Sequence, residues 1–373
     1  MIIKSETFNY KKDFFTINGE KIENLKLSYQ TYGKLNENKD NTILICHFFS
    51  GDKHIAGKYS PKDEIAGWWD NIVGPNKPFD TNKYFIISSD SLCCVVNSTF
   101  VESSSPRDYF SKTKKPYSMD FPVITIQDMV NAQKLLLDYL GIEELFAVSG
   151  PSMGGLQALS WAFLYPQKVK KCIPISAADK VDCFSCFFPL RMGIQAIKTD
   201  SYFNNGDYYN EIISKTPIQG LKNAINGLAL IARGRNWGET ILGGKNWDSQ
   251  DPILKIDNMY DFEKNIIEGV GSRADMYDAN SYIYLSKANI IFNVFSNFKS
   301  EKQALQNLKS DFLILSDKND IFILAEQSKK FYLKIAQYRK NSEYYEFESP
   351  LGHLGSVSNA ELFGDKIQKF LNK

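Results

Sequence analysis

The stretch LFAVSGPSMGGLQALSW, residues 145–161, has the pattern of a strand, a tight turn and a helix. Its apolar start, Leu145 to Val148, has the length of one buried strand of a parallel sheet, and from Leu156 onward the apolar residues recur at helical spacing. The glycine-rich turn between them matches G-x-S-x-G, although an ordinary glycine loop would match it too. Because the motif stands between a strand and a helix, we interpret it as a nucleophile elbow that presents the Ser152 hydroxyl at a helix N-terminus.

Strands and helices alternate on both sides of this turn. Asn18-Gly19 is a strong hairpin signal near the start of the chain, and Thr125 with Asp128 resembles a capping box that opens a helix to Tyr139. Further strands are predicted at Thr42–Cys46, Lys83–Ser88, Lys171–Ser176, Asp311–Ser316 and Tyr344–Phe347. The alternation predicts an α/β fold with a mostly parallel sheet.

The alternation stops from about residue 177 to residue 309. That segment is polar and aromatic, helical in places, and has no clear strand pattern. Its aromatic residues must be buried somewhere, so we interpret it as a helical cap and not as a linker. The predicted organisation is a core formed by residues 1–176 and 310–373, with the cap inserted between them.

Composition excludes several classes of function. The net charge of +1 gives no sign of binding to nucleic acid or to an anionic membrane. No apolar run approaches the length of a membrane span, and the N-terminus lacks the pattern of a signal peptide. We therefore expect a cytoplasmic protein whose six cysteines are reduced thiols. The Cys183-x-x-Cys186 pair lacks a second ligand pair, so no metal site is expected.

A serine nucleophile needs a base, and the base needs an acid to orient it. Of the three histidines, His47 and His54 precede the elbow, and His353 alone follows it, in a loop directly after the last predicted strand. The chain order Ser, Asp, His therefore favours His353 as the base. Asp317 and Asp320 both follow the restored strand, and spacing does not choose between them.

An oxyanion formed on the substrate would need two N–H donors. The backbone N–H of Met153, the residue after the nucleophile, is the first candidate. The second would come from the loop after the Thr42–Cys46 strand, and Phe49 is our prediction for it.

Several stretches together resemble the homoserine O-acetyltransferase family, acyltransferases of methionine biosynthesis with an α/β-hydrolase fold. They are YQTYGKLN at residues 29–36, Cys46-His47, GWWD at residues 67–70, DFP at residues 120–122, the elbow GPSMGG, and DANSY at residues 278–282. The resemblance implies that acetyl-CoA is the donor substrate, that homoserine accepts the acetyl group from Ser152, and that no cofactor is needed. It also selects Asp320 as the acid and implies a cytoplasmic homodimer paired through the caps.

Departures from the family pattern fall on the acceptor side of the site. The family has aspartate after the catalytic histidine where this chain has Leu354, and arginine in the cap helix where this chain has Ile194. Arg191, one turn earlier, and Tyr282 are our candidate substrate-binding residues. The family's glycine-rich loop is replaced near Asn97-Ser98-Thr99. Because a zwitterionic acceptor needs partners for both charges, an ester or thioester hydrolase, or transfer to another hydroxyl acceptor, is the alternative.

Overall fold

The fold is built around one twisted sheet of eight strands. The computed structural model describes residues 3–96, 103–235, 237–247 and 250–373. In chain order the strands are β1 (Glu6–Asn9), β2 (Lys26–Tyr32), β3 (Thr42–Cys46), β4 (Phe85–Ser89), β5 (Leu145–Pro151), β6 (Val169–Ile175), β7 (Asp311–Asp317) and β8 (Glu343–Phe347). They lie in the order β1-β2-β4-β3-β5-β6-β7-β8. Among these eight strands only β2 runs in the opposite direction to the other seven, so the predicted mostly parallel sheet is confirmed.

The predicted N-terminal hairpin is present. Phe14–Phe15 pairs antiparallel with Lys21–Ile22, and the backbone N–H of Thr16 donates to the carbonyl of Glu20 across the turn. Gly19 in that turn has a φ of 85°, a conformation that glycine adopts without a steric penalty. Two other short ladders, Val73–Gly74 with Phe79–Asp80 and Tyr109–Phe110 with Lys115–Pro116, lie outside the main sheet.

Helices of the core cover both faces of the sheet. They are α1 (Ile126–Tyr139), α2 (Met153–Leu164), α10 (Ala325–Ala336), α11 (Gly355–Ser358) and α12 (Glu361–Leu371). The labels α3 to α9 belong to the helices between β6 and β7, which are given below. The capping box at α1 is formed as predicted, because Thr125 accepts from the amide of Asp128 and Asp128 accepts from the amide of Thr125.

The segment between β6 and β7 is helical. Its α-helices are α3 (Cys183–Ser185), α4 (Met192–Lys198), α5 (Ile218–Ile231), α6 (Trp237–Ile241), α7 (Asp261–Lys264), α8 (Ala279–Ile290) and α9 (Glu301–Asn307), with π-helical turns at Cys186–Arg191 and Asn265–Val270. None of its described residues belongs to the eight-stranded sheet. The sequence pattern predicts a helix from Asn280 to Phe295, but α8 ends at Ile290, and Phe292 beyond it is buried in the core.

The hydrophobic core lies in two layers, one on each face of the sheet. Along β3, Leu44 and Cys46 belong to one layer, whereas Ile43 and Ile45 belong to the other. This alternation follows from the two-residue period of a strand and leaves all five residues of β3 buried. Trp69 is fully buried in the second layer, so this aromatic of the GWWD stretch packs in the core. Among the helices of the described residues, none has the length and apolar character needed to cross a lipid bilayer.

Candidate active site

A sharp turn between β5 and α2 holds Ser152. The residue has a φ of 55° and a ψ of −122°, a strained conformation for a residue with a side chain, and its N–H donates to the carbonyl of Ile175 at 2.9 Å. The flanking glycines explain why the turn can close. A Cβ atom on Gly150 would lie 2.4 Å from the carbonyl oxygen of Cys46, and one on Gly154 would lie 2.1 Å from it. The elbow geometry predicted from the sequence is therefore present.

Three side chains from distant parts of the chain form one hydrogen-bonded line at this turn. His353 Nε2 lies 2.7 Å from Ser152 Oγ, and His353 Nδ1 lies 2.6 Å from Asp320 Oδ2. The other carboxylate oxygen of Asp320 accepts from the amides of Phe322 and Ile323, both at 2.8 Å. These bonds fix the carboxylate, so that His353 carries its proton on Nδ1 and presents an unprotonated Nε2 to the serine hydroxyl.

Asp317, the other candidate acid, lies elsewhere in the network. Its Oδ1 accepts from the amides of Asn319 and Ser349, and no described residue donates a hydrogen bond to its Oδ2. Burial raises the pKa of Asp317 to about 6. Asp317 therefore links the loop that carries Asp320 to the loop that carries His353, whereas the recorded hydrogen-bond partners of the histidine ring are Asp320 and Ser152.

The two predicted oxyanion donors lie on either side of the elbow. Met153 is the first residue of α2, and Phe49 lies in the loop after β3. Within the described part of the chain, neither amide donates a hydrogen bond to a protein acceptor. Two unsatisfied N–H groups beside a nucleophile are what an oxyanion would need. Their role as an oxyanion hole stays a prediction.

Buried polar contacts anchor the loop that carries Phe49. At its start, His47 Nδ1 lies 2.7 Å from the carbonyl oxygen of Phe48, and His47 Nε2 accepts from the amide of Ser91 at 2.8 Å. At its end, the amide and the ammonium group of Lys53 donate to the two carboxylate oxygens of Asp90 at 2.8 and 2.9 Å. The Lys53 side chain is fully buried.

The same contacts bear on metal binding. Among the described residues, one group has the composition of a metal site, namely His47, Asp90 and Cys94, whose ligand atoms lie within 4.8 Å of one another. His47 Nε2 already accepts from the Ser91 amide, and both carboxylate oxygens of Asp90 already accept from Lys53. A cation would have to displace the lysine ammonium, so these residues do not fit a metal ion.

A cavity of about 320 Å³ opens in front of Ser152 and His353. Phe49 and Tyr282 line it, with their rings edge to face at 5.0 Å, and the Tyr282 hydroxyl donates to the carbonyl of Ala224. Tyr282, a candidate substrate-binding residue, thus lines the cavity, and its contact with a substrate stays a prediction. Leu354, the residue that replaces the family's aspartate, also lines the cavity.

Arg191, the other candidate substrate-binding residue, lies away from the described lining of the cavity. It is absent from the described lining of the cavity and is only half-buried. Phe187 and Phe188, four and three residues earlier in the π-helical turn Cys186–Arg191, are 61% and 46% exposed. The loop Asn97-Ser98-Thr99, the other noted departure, lies outside the described residues.

Two arginines that the sequence analysis missed line the cavity instead. They are Arg233, just after α5, and Arg273, in a 3₁₀ turn before α8. Neither stands in a motif that marks a site, and their convergence depends on how the cap helices pack over the core. In the sequence, neither arginine has an aspartate or glutamate three or four positions away, and this absence is only a weak signal of a binding site.

The fold and the site together define the class of protein, which is that of serine-dependent α/β-hydrolase-fold enzymes. Residues 42–216 match the family profile of the alpha/beta hydrolase fold. The chain belongs to the homoserine O-acetyltransferase family. It is 35% identical to the homoserine O-acetyltransferase of Deferribacter desulfuricans over 100% of this chain and 96% of that protein.

Solved structures give the same placement. The homoserine O-acetyltransferase from Bacillus anthracis superposes with a TM-score of 0.95 at 35% identity, covering 100% of this chain and 98% of that one. The structure of esterase E22 superposes with a TM-score of 0.93 at 33% identity, covering 99% of this chain and 100% of that one. The same fold at similar identity therefore includes a transferase and an esterase.

Proposed function

We propose that the protein transfers an acyl group from acetyl-CoA to the hydroxyl group of L-homoserine through an acyl-enzyme on Ser152, a step of methionine biosynthesis. The proposal rests mainly on the hydrogen bonds that connect Ser152 through His353 to Asp320, with Ser152 and His353 lining a cavity. The end-to-end likeness to a homoserine O-acetyltransferase supports the choice of acceptor.

The first half of the reaction forms the acyl-enzyme. His353 Nε2 removes the proton of Ser152 Oγ as the oxygen attacks the thioester carbonyl, and Asp320 stabilises the imidazolium ion that results. The oxyanion that forms would accept hydrogen bonds from the amides of Met153 and Phe49, which have no other described partner. As the thioester bond breaks, His353 gives its proton to the leaving thiol.

The second half uses the same residues in reverse. After the thiol leaves, the hydroxyl of the acceptor enters the cavity and loses its proton to His353 Nε2 as it attacks the acyl ester. The tetrahedral intermediate collapses, the new ester leaves, and the proton returns to Ser152 Oγ. Because both halves share one nucleophile and one base, donor and acceptor react in turn, which is a ping-pong mechanism.

Release of free CoA from acetyl-CoA by the purified protein tests this proposal. We expect release that depends on L-homoserine and yields O-acetylhomoserine, detected by mass spectrometry. The Ser152→Ala variant should lose the activity by a factor of about 10⁴ or more while it keeps the wild-type melting temperature, since the serine forms the covalent intermediate. Homoserine-independent release, or a Ser152→Ala variant with wild-type rates, contradicts it.

A hydrolase is the second candidate, because a specific feature of the cavity favours it. Leu354 follows the base and lines the cavity, and no aspartate or glutamate is among the described residues of that lining. An acceptor's ammonium group therefore finds no carboxylate, whereas water needs none. The close structural likeness to esterase E22 supports this candidate.

Leu354→Asp separates the two candidates. A carboxylate at this position would give the ammonium group of homoserine a partner next to His353, so we expect the ratio of transfer to hydrolysis to rise about tenfold or more. Leu354→Asn is the matched control, since it has the same shape without the charge. If both variants change the ratio equally, the ammonium group is not what the position affects.

Location and assembly are further parts of the proposal. We propose a cytoplasmic enzyme that forms a homodimer through its cap and takes acetyl-CoA as its donor without a bound cofactor. The exposed aromatic residues of the cap, among them Phe184 and Phe187, support the dimer.

A further inference from the structure

The peptide group that joins Phe48 to Phe49 has its two polar atoms in different surroundings. The carbonyl oxygen of Phe48 accepts from the amide of Gly51 at 3.0 Å and lies 2.7 Å from His47 Nδ1. The amide of Phe49 donates to no acceptor among the described residues. Because the peptide is trans, its N–H points away from its C=O, so the contacts that fix the Phe48 oxygen also set the direction of the Phe49 N–H.

The ring of His47 is held in one tautomer. Its Nε2 accepts from the amide of Ser91 at 2.8 Å, so the proton of the neutral ring is on Nδ1 and is donated to the oxygen of Phe48. The side chain is fully buried, and burial lowers the pKa of His47, so the ring is neutral at neutral pH. The two ring nitrogens therefore make different contacts, one with the loop after β3 and one with the segment after β4.

The loop backbone lies against the elbow. Phe48, Phe49 and Ser152 all line the cavity. A Cβ atom placed on Gly154, in the first turn of α2, would lie 3.1 Å from the carbonyl oxygen of His47. The direction of the Phe49 amide therefore bears on the space next to the nucleophile.

The ring contacts of the loop do not by themselves orient this peptide. The Phe48 ring packs edge to face on Trp68 at 5.3 Å, and the Phe49 ring packs in the same way on Tyr282 at 5.0 Å. A peptide plane can turn about the line between its two Cα atoms through opposite changes of ψ and φ, with little movement of the side chains. The hydrogen bonds to the Phe48 oxygen are therefore what selects one direction of the peptide.

We propose that His47 is a positioning residue, whose hydrogen bond to the Phe48 oxygen aims the Phe49 amide at the oxyanion formed beside Ser152. The inference rests on the proposed acyl-enzyme of Ser152 and gives a role in it to a histidine that does not line the cavity. Donation to the Phe48 oxygen also polarises the peptide group, which makes its N–H a stronger donor. The effect acts on the transition state, in which the carbonyl oxygen of the substrate gains negative charge.

Two substitutions separate the roles of the two ring nitrogens. In His47→Asn the side-chain nitrogen takes the position of Nδ1, so the donor to Phe48 is kept and the acceptor for Ser91 is lost. In His47→Gln the side-chain amide reaches the position of Nε2, so the acceptor for Ser91 is kept and the donor to Phe48 is lost. The quantities measured are the melting temperature, kcat/KM for p-nitrophenyl acetate, and the inhibition constant of 1,1,1-trifluoro-4-phenylbutan-2-one, whose adduct with Ser152 Oγ carries an oxyanion.

The two variants should differ in opposite ways. We expect His47→Gln to lower kcat/KM and to weaken the ketone by the same factor, about 10- to 100-fold, because both quantities report stabilisation of an oxyanion. Its melting temperature should stay near that of the wild type. We expect His47→Asn to keep kcat/KM and the inhibition constant close to their wild-type values but to melt at a lower temperature, because the Ser91 amide loses its buried acceptor.

His54→Gln is the matched control. His54 is a half-buried histidine that does not line the cavity, and its Nδ1 lies 3.1 Å from Gln30 Oε1. The control should leave both kcat/KM and the inhibition constant unchanged. The proposal is overturned if His47→Gln keeps the wild-type rate or the wild-type affinity for the ketone. It is also overturned if His47→Asn loses as much of the rate as His47→Gln, since a purely structural role predicts equal losses.

The same assay keeps this inference distinct from the proposed acceptor. Cleavage of p-nitrophenyl acetate needs acylation of Ser152 but neither acetyl-CoA nor homoserine. A protein that gives the expected pattern of variants without acylating homoserine therefore contradicts the acceptor alone. Undiminished cleavage in Ser152→Ala contradicts the acyl-enzyme itself.

Discussion

At the scale of single residues, two buried aspartates three positions apart differ in what they bind. Asp320 receives two amides on one oxygen and His353 on the other, so both oxygens of its carboxylate are hydrogen-bonded. Asp317 receives two amides on one oxygen and leaves the other buried without a described partner. Its negative charge is therefore poorly compensated, which is why its pKa is raised to about 6.

Asp317→Asn should change the pH dependence of stability. The pKa of Asp317 rises from 3.8 to about 6 on folding, so the native state loses stability as pH rises from about 4 to 6. Asparagine keeps an oxygen for the amides of Asn319 and Ser349 and never ionises. We expect the free energy of unfolding of the variant, relative to wild type, to increase by about 2–3 kcal/mol between pH 4 and pH 8, measured by urea denaturation.

Activity provides the control for that substitution. Asp320→Asn should lower kcat by a factor of about 10³ to 10⁴, because the amide cannot hold His353 in the required tautomer. Asp317→Asn should lower kcat far less. A larger loss at Asp317 would move the acid to that residue, and an unchanged stability difference across the pH range would show that Asp317 is not buried as a charge.

At the scale of elements, the elbow depends on how closely α2 approaches β3. Gly154→Ala places a Cβ atom 2.1 Å from the carbonyl oxygen of Cys46, a backbone atom that cannot move without displacing β3. We expect the variant to lose at least about 3 kcal/mol of stability and nearly all activity. The melting temperature and the rate of p-nitrophenyl acetate cleavage measure the two effects.

A glycine inside α5 serves as the control, because its substitution should have the opposite effect on stability. Gly227 lies inside α5, and a Cβ atom there would meet no described heavy atom within 4 Å. Gly227→Ala should therefore stabilise the protein by about 0.5–1 kcal/mol through helix propensity. Equal effects of the two substitutions would mean that the contact between α2 and β3 is not what requires glycine at the elbow.

The loop after β3 depends on a buried ion pair. Lys53→Met would leave Asp90 buried without its cation, so we expect a loss of about 3–5 kcal/mol in urea denaturation. Because the pair anchors the loop that carries Phe49, kcat should fall more than KM rises. The double variant Lys53→Met/Asp90→Asn removes both charges and should recover most of the stability. A double variant as unstable as the single one would show that packing, not charge, holds the loop.

At the scale of the whole molecule, the cap presents an apolar face to the outside. Phe184 and Phe187 are 69% and 61% exposed, and Met192 nearby is 50% exposed. Clustered aromatic residues of this kind are typical of an interface between subunits. The expectation of a homodimer through the cap agrees with this surface and stays a prediction.

Phe184→Glu/Phe187→Glu tests the assembly. Two charges on this face would have to be desolvated in a dimer, so we expect the variant to be a monomer by light scattering at concentrations where the wild type is a dimer. Tyr109→Glu changes an aromatic residue that is 70% exposed outside the cap and should leave the mass unchanged. A monomeric wild type, or a dimeric double variant, contradicts the predicted interface.

The amino-acid sequence alone was enough to predict the mostly parallel sheet and the strand–turn–helix context of the elbow. It also led to the predictions of a core with an inserted cap and of His353 as the base. Strand and helix periods, the two glycines around Ser152 and the order of the triad along the chain are local or one-dimensional properties, so they can be read without coordinates. The choice of Asp320 over Asp317 was open from spacing, because both follow β7 and only the placement of the His353 loop decides which carboxylate meets the ring.

Which cationic side chains line the cavity depends on tertiary packing and could not be predicted from the sequence. Arg191 was a candidate because it lies about one turn before a family position, yet it is not among the described residues that line the cavity. Arg233 and Arg273, forty residues apart, meet at the cavity because α5 and the turn before α8 pack together over the core. Such convergence depends on contacts between distant segments, which leave no periodic signal in the chain.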